Sequence, residues 1–294
     1  MSPASHLRTL LILGRVSNLP TVWSNVLVGW FLAGGSWTGE PWWILLGMSL
    51  LYVGGMTLND AFDADWDREH APDRPVPSGK ISTASAWTIG AIELLGGLAV
   101  LFAGSSAHWI LLSALVVSIL LYNWLHKRWA GSVLFMGLCR AFVYLGAGSA
   151  VVSHTSALEV PPLLAVIAAG AVLYIAGLTL AARAEHLKDA KGPAFFPRIL
   201  LMLPILFPLL GSQVMPDGPV RIALIVIGIL GVWSWLVITR TALRTKVPVG
   251  VAYAIAGIAF YDASIVVFAD WRAAVACLVC FVLTLATQRF IPAT

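Results

Sequence analysis

The sequence predicts an all-α fold, a polytopic transmembrane helical bundle, and three observations carry that expectation. Charged residues make up only 11% of the 294 positions, against roughly 25% in an ordinary soluble domain. Ala, Val, Ile, Leu, Met, Phe, Trp, Tyr and Cys make up 59%, more apolar surface than a soluble monomer of this length can hide. The apolar residues also come in continuous runs of about 17–25, the length of a membrane-crossing helix. Disorder, a disulfide scaffold and a soluble enzyme are excluded by this composition. A β-barrel is excluded because its wall needs alternating, not continuous, hydrophobicity.

The runs fall at 16–35, 42–59, 86–105, 109–125, 132–152, 162–182, 196–213, 220–239, 249–268 and 272–290. That makes ten spans, with the last four closely spaced and one of them open to a re-entrant reading. A cleavable leader is not expected, because Arg15 follows only a short apolar stretch, Leu7–Leu13. Cys139, Cys277 and Cys280 lie inside apolar runs. No second Cys pair or His cluster accompanies the CxxC at 277–280, so all three read as small packing residues. The basic residues are scattered, which gives no sign of a nucleic-acid partner.

Scattered along the chain, they are nevertheless sorted by side. Arg8 and Arg15 precede the first run, and Arg68, Arg74 and Lys80 lie in the second connection. Lys127 and Arg128 fall in the fourth, Arg183, Lys188, Lys191 and Arg198 around the sixth, and Arg240, Arg244 and Lys246 in the eighth. With Arg289, fifteen of the eighteen share one side; Arg221 and Arg272 oppose them, and Arg140 is within a span. The positive-inside rule makes that side cytoplasmic and places both termini there, which requires an even number of spans.

Acidic residues are more concentrated still. Eight of fourteen occupy just two of these cytoplasmic connections. In Asn59-Asp60-Ala61-Phe62-Asp63-Ala64-Asp65-Trp66-Asp67, residues Asp60, Asp63 and Asp67 share one face of a helix continuing out of the second span. Three carboxylates on one face repel unless a cation neutralises them, and hard oxygen ligands suit Mg²⁺, which binds through one or two carboxylates plus substrate phosphates. Arg68, Arg74 and Lys80 follow as donors for phosphate oxygens. The second cluster, Arg183-Ala184-Glu185-His186-Leu187-Lys188-Asp189, again puts two acids, Glu185 and Asp189, on one helical face. Its place four spans later suggests two pseudo-repeats, about 1–125 and 126–294 of a single 1–294 domain. They would meet at a central cavity with an acidic cytoplasmic cap.

NDxxDxxxD after the second span and an acidic pair four apart after the sixth resemble the UbiA superfamily of intramembrane prenyltransferases, which includes UbiA-type terpene cyclases. Asp73-Arg74-Pro75, Tyr122 with Lys127-Arg128, and Arg15 beside the first span are similar to further family features. The chain departs from the family in carrying Glu185 where the second motif usually has Asp, and in a charge pattern that favours ten spans where nine are typical. The resemblance implies a Mg²⁺-dependent enzyme that ionises an isoprenyl diphosphate and transfers the prenyl cation to an aromatic or lipid acceptor. Two Mg²⁺ ions would be held by Asn59, Asp60, Asp63, Asp67, Glu185 and Asp189. Arg15, Arg68, Arg74, Lys127, Arg128, Arg140 and Lys188 would bind the diphosphate, with Asp63, Asp67, Asp189 and Lys127 as the catalytic set. Trp23, Tyr122, Tyr144 and Tyr174 are candidates for the prenyl chain and its cation.

Arg140, a guanidinium inside a span, has the alternative of a structural ion pair with Glu93 or Asp262. His126 and His186 read as solvated loop histidines. Asn18 and Asn25 could bind substrate or a neighbouring helix. The alternative activities are cyclisation of the same donor and secondary transport. A transporter site should lie near mid-bilayer, whereas these acids lie at span ends. An integral cell (inner) membrane location, with the active site open to the cytoplasm, completes the expectation.

Overall fold

The computed structural model describes residues 3–39, 41–152, 158–183 and 195–293. They form α1 (Pro3–Leu13), α2 (Pro20–Leu32), α3 (Pro41–Phe62), α4 (Ala64–His70), α5 (Thr83–Gly104), α6 (Trp109–Leu125) and α7 (Val133–Val152). There follow α8 (Pro162–Arg183), α9 (Phe195–Leu200), α10 (Phe207–Gly211), α11 (Pro219–Thr245), α12 (Val247–Val266) and α13 (Trp271–Thr287). Among the described residues, seven helical segments are long and apolar enough to cross a membrane; α6 and α13 are shorter apolar helices. The chain is an integral membrane protein.

Helical structure occupies the positions of all ten apolar runs, with two differences in form. The first run, expected as a helix over 16–35, has Arg15 in the left-handed region (φ 45°), a 3₁₀ turn at Val16–Asn18, and only then α2. Pro20 sets the first turn of α2, and the chain turns at Gly34 with positive φ. The resulting 13 residues reach about 20 Å, short of the roughly 30 Å hydrocarbon core. The run at 196–213 is broken into α9, a 3₁₀ turn at Leu203–Leu206, α10 and a further 3₁₀ turn. Pro197, Pro204 and Pro208 each remove a backbone donor there.

Close helix approach depends on small residues. A Cβ on Gly29 of α2 would lie 2.2 Å from the Tyr144 carbonyl oxygen of α7. Gly54 of α3 and Gly90 of α5 likewise face each other's backbones, the small-residue packing that lets membrane helices touch. By contrast, α11 turns Val220, Ile222, Ile227, Leu230 and Trp233 outward, as a lipid-facing helix does.

A second, smaller core organises one end of the bundle. Leu13, Ala61, Ala64, Val76, Ile81 and Ala86 bury one another, pinning the 71–82 loop over the junction of α3 and α4. The end of α13 lies at this same end. Asn18 donates to the Ala293 carbonyl (2.8 Å), and Gln288 donates to Asn18 Oδ1 (3.1 Å).

Candidate functional site

The junction of α3 and α4 keeps helical hydrogen bonding through its break, with Asp63 N–H on the Asn59 carbonyl and Asp67 N–H on the Asp63 carbonyl. That continuity puts Asp60, Asp63 and Asp67 on one buried face, at 4%, 3% and 0% exposure. Carboxylates this buried require counter-charges. Arg74, delivered by the small core under its loop, lies 4.0 Å from Asp60, 4.0 Å from Asp63 and 2.8 Å from Asp67. Arg15 is 3.6 Å from Asp60, and Lys127 is 3.6 Å from Asp63. His126, expected to be a solvated loop residue, instead places Nε2 3.0 Å from Asp63 and stacks on Tyr122.

Burial works against the charge of Arg74, but Asp67, Asp60 and Asp63 outweigh it and hold the guanidinium above its ordinary pKa. For Lys127 the balance is reversed. Burial lowers the ammonium pKa, and Asp63 and Asp67 recover only part of it. Lys127 also lies 3.5 Å over the Trp66 ring, a cation–π contact that helps hold it beside Asp63.

Asn59 accepts from Arg15 (3.2 Å) and donates to Asn123, whose own amide holds the Gly55 carbonyl. Arg15 is thereby fixed from three directions, with Tyr52 Oη donating to its carbonyl (3.3 Å). Among the described residues it alone, apart from glycines, has positive φ. Such strain persists only where surrounding contacts over-determine it.

Two of the remaining basic candidates turn away from the acids. Arg68 pairs with exposed Asp65, and Arg128 lies over the exposed Trp124 ring. Glu185, Lys188 and Asp189 lie outside the described residues.

A cavity of about 220 Å³ extends from this cluster into the bundle. Arg15, Asn18, Tyr52, Tyr122 and Asn123 line its polar end, and Met48, Leu51, Leu115, Ile119, Ile175 and Ile258 its apolar walls. Of the four aromatic candidates, Tyr122 lines this cavity. Trp23 is held by Ser49 (2.9 Å), Tyr174 donates to the Ala254 carbonyl (2.8 Å), and Tyr144 donates to Asp262 (2.6 Å). Tyr52, Asn123 and Met136 were missed as lining residues. Their signal lay only in spacing, since Tyr52 and Asn59 are two turns apart on α3.

Arg140 reaches the same cavity from α7 and, among the described residues, forms no ion pair with the acids. The ion pair with Glu93 or Asp262 is not formed either: Glu93 accepts from Thr57 (2.9 Å), and Arg140 donates to Asn25 Oδ1 (2.8 Å).

Among the described residues no three acidic, His or Cys side chains converge as a ready-made metal shell. The donor set nevertheless fits Mg²⁺. Among the described residues Asp60 Oδ1 and Asp67 Oδ1 are buried without a hydrogen-bond partner, and Mg²⁺ takes part of its shell from phosphate and water.

Fold and site define an intramembrane helical bundle with a buried acidic cluster joined through Arg15 to an apolar cavity. A profile of the UbiA prenyltransferase family matches residues 22–285, and the chain belongs to that family. It is 34% identical over 86 residues to a digeranylgeranylglyceryl phosphate synthase of Methanoculleus marisnigri, an alignment covering 29% of this chain and 31% of that protein. The match thus spans about a third of the curated relatives' length. The apo UbiA homologue from Aeropyrum pernix K1 has a similar fold (TM-score 0.63, 18% identity, 86% of this chain and 96% of that one). So does the Archaeoglobus fulgidus UbiA homologue bound to GPP and Mg²⁺ (TM-score 0.62, 16% identity, 96% and 99%).

Proposed function

We propose that this protein is a Mg²⁺-dependent intramembrane prenyltransferase that transfers the prenyl group of an isoprenyl diphosphate to an aromatic or lipid acceptor. The observation that carries the reading is three buried carboxylates held by Arg15, Arg74 and Lys127, next to an apolar cavity that Arg15 itself lines. Asp60, Asp63 and Asp67, joined by Glu185 and Asp189, would hold two Mg²⁺ ions. Bound Mg²⁺ supplies the neutralisation that makes a diphosphate a good leaving group. Arg15, Arg74 and Lys127 shift their hydrogen bonds to the phosphate oxygens and hold them as negative charge develops. The allylic C–O bond breaks with its electron pair on the diphosphate, the allylic carbon bonds to the acceptor, and the acceptor's proton is released. The apolar walls exclude water from the cation, and the faces of Tyr122 and Tyr52 meet it.

The site would open to the cytoplasm, in the cell (inner) membrane. The single 1–294 domain is read as two pseudo-repeats of about 1–125 and 126–294. Incubation with a panel of isoprenyl diphosphates, Mg²⁺ and acceptors tests the reading. A prenylated conjugate is the expected product; a hydrocarbon from donor alone would favour the cyclase, and an unconsumed donor would overturn both. Glu185→Asp beside Glu185→Gln then tests the second motif. A Gln variant with full kcat/KM would remove position 185 from the metal site.

A further inference from the structure

Two buried amides link the backbone of α3 to the guanidinium of Arg15. Gly55 lets α6 come close: a Cβ there would lie 3.0 Å from Ile119 Cγ2, about one turn before Asn123 on the same helix. Asn123 Nδ2 donates to the Gly55 carbonyl (3.0 Å), and Asn123 Oδ1 accepts from Asn59 Nδ2 (3.2 Å). Asn59 Oδ1 in turn accepts from Arg15 Nη2 (3.2 Å). Asn123 and Asn59 are 3% and 5% exposed, so each polar atom depends on its neighbour in the chain for a partner.

The two ends of this relay fix its direction. A carbonyl only accepts and a guanidinium only donates. Turning Asn123 over would set its oxygen against the Gly55 oxygen, and turning Asn59 over would set its NH₂ against Arg15. Each amide therefore holds the next in one orientation. An asparagine that served only to join α6 to α3 would need the Gly55 bond alone; the other half of the Asn123 amide is engaged by Asn59. Arg15 is the working end. Its backbone is held at positive φ (45°), with Tyr52 on its carbonyl, and its Nη2 is also 3.6 Å from Asp60. The relay engages that one nitrogen and leaves the rest of the fork for another oxyanion. Arg15 and Asn123 both line the cavity.

Resting on the prenyl-transfer reading above, we propose that Asn123 is a positioning residue for the donor diphosphate. It sets the direction of the Asn59 amide and, through it, aims the Arg15 fork. Its effect on the donor passes through Arg15. Without Asn123 the Asn59 amide is free to turn, Arg15 loses its fixed orientation, and the diphosphate is held more weakly.

Isothermal titration of the full chain in detergent with geranyl diphosphate plus Mg²⁺ tests this as a double-mutant cycle. Asn123→Leu, close in volume and without polar atoms, should weaken donor binding about three- to tenfold, and Arg15→Ala about tenfold or more. In the Arg15→Ala background Asn123→Leu should cost less than about twofold, because the side chain it aims is gone. A loss of the same size in both backgrounds would make Asn123 a purely structural residue and overturn the proposal. Wild-type affinity in Asn123→Leu would also overturn it. Asn123→Ser, whose hydroxyl can replace only one of the two bonds, should fall between wild type and Asn123→Leu. Should Asn123→Leu fail to fold, the cycle of Asn123→Ser with Arg15→Ala decides. A wild type that binds no geranyl diphosphate would instead overturn the prenyl-transfer reading, and this proposal with it.

Discussion

At the mouth of the cavity, Asp60, Asp63 and Asp67, drawn from eight consecutive residues, meet Arg15, Arg74 and Lys127. Halfway down its wall, one arginine and one aspartate from α7 and α12 are joined through Asn25, Ser24 and Tyr144. The mouth concentrates like charge on one helix face and, among the described residues, leaves two buried carboxylate oxygens without hydrogen bonds. On the prenyl-transfer reading, an incoming cation and anion would replace the internal counter-ions. The inner network instead satisfies its carboxylate completely, through Ser24, Asn25 and Tyr144. The comparison teaches that burial alone does not define a ligand site. What each region leaves unsatisfied sets the charge of the ligand it can take.

The largest expected effect breaks one region and spares the other. Excess EDTA should abolish turnover and added Mg²⁺ restore it; full turnover in EDTA would remove the metal from the mouth. Asp63→Asn and Asp67→Asn should each lower kcat by about a hundredfold or more, with a lowered Tm in detergent, because each breaks a buried ion pair, Asp63 with Lys127 and Asp67 with Arg74. Near-normal rates in both would reduce the motif to a structural cluster.

Asp262→Asn should act on stability. It weakens hydrogen bonds from three donors and should cost about 1–3 kcal/mol of stability, read as a lowered Tm. Gly29→Ala drives a methyl into the Tyr144 carbonyl and should destabilise by about 1–3 kcal/mol as α2 and α7 separate. Arg68→Gln should be smallest, within about twofold in kcat/KM, because Arg68 is paired outward with exposed Asp65 and such surface pairs contribute little.

Much of the mouth was legible before any fold was known, since a helical period applied to Asp60, Asp63 and Asp67 places them on one face, and Arg74 and Lys127 fall in the adjoining connections. Arg68 and Arg128 looked equivalent by position and differ in orientation, which a connection's sequence does not encode. His126 looked solvated because its neighbours Lys127 and Arg128 are charged; Asp63, more than 60 positions earlier, makes it a cluster member. Trp23, Tyr144 and Tyr174 were selected by residue type, whereas Tyr52 and Tyr122 line the cavity because of where their helix faces point.

The sequence by itself determined the membrane class, the positions of ten helical runs and the acidic helix face. These depend on hydrophobic length and local periodicity, properties of contiguous residues. Only the tertiary structure decided that Ser24, Asn25, Arg140, Tyr144 and Asp262 form one network, and that Arg74 is shared among three carboxylates. The same holds for the end of α13, which returns to Asn18. Those outcomes depend on which helices come into contact, and contact is set by small residues such as Gly29 and Gly54 meeting a partner backbone. That complementarity lies between segments and has no period to read along either one.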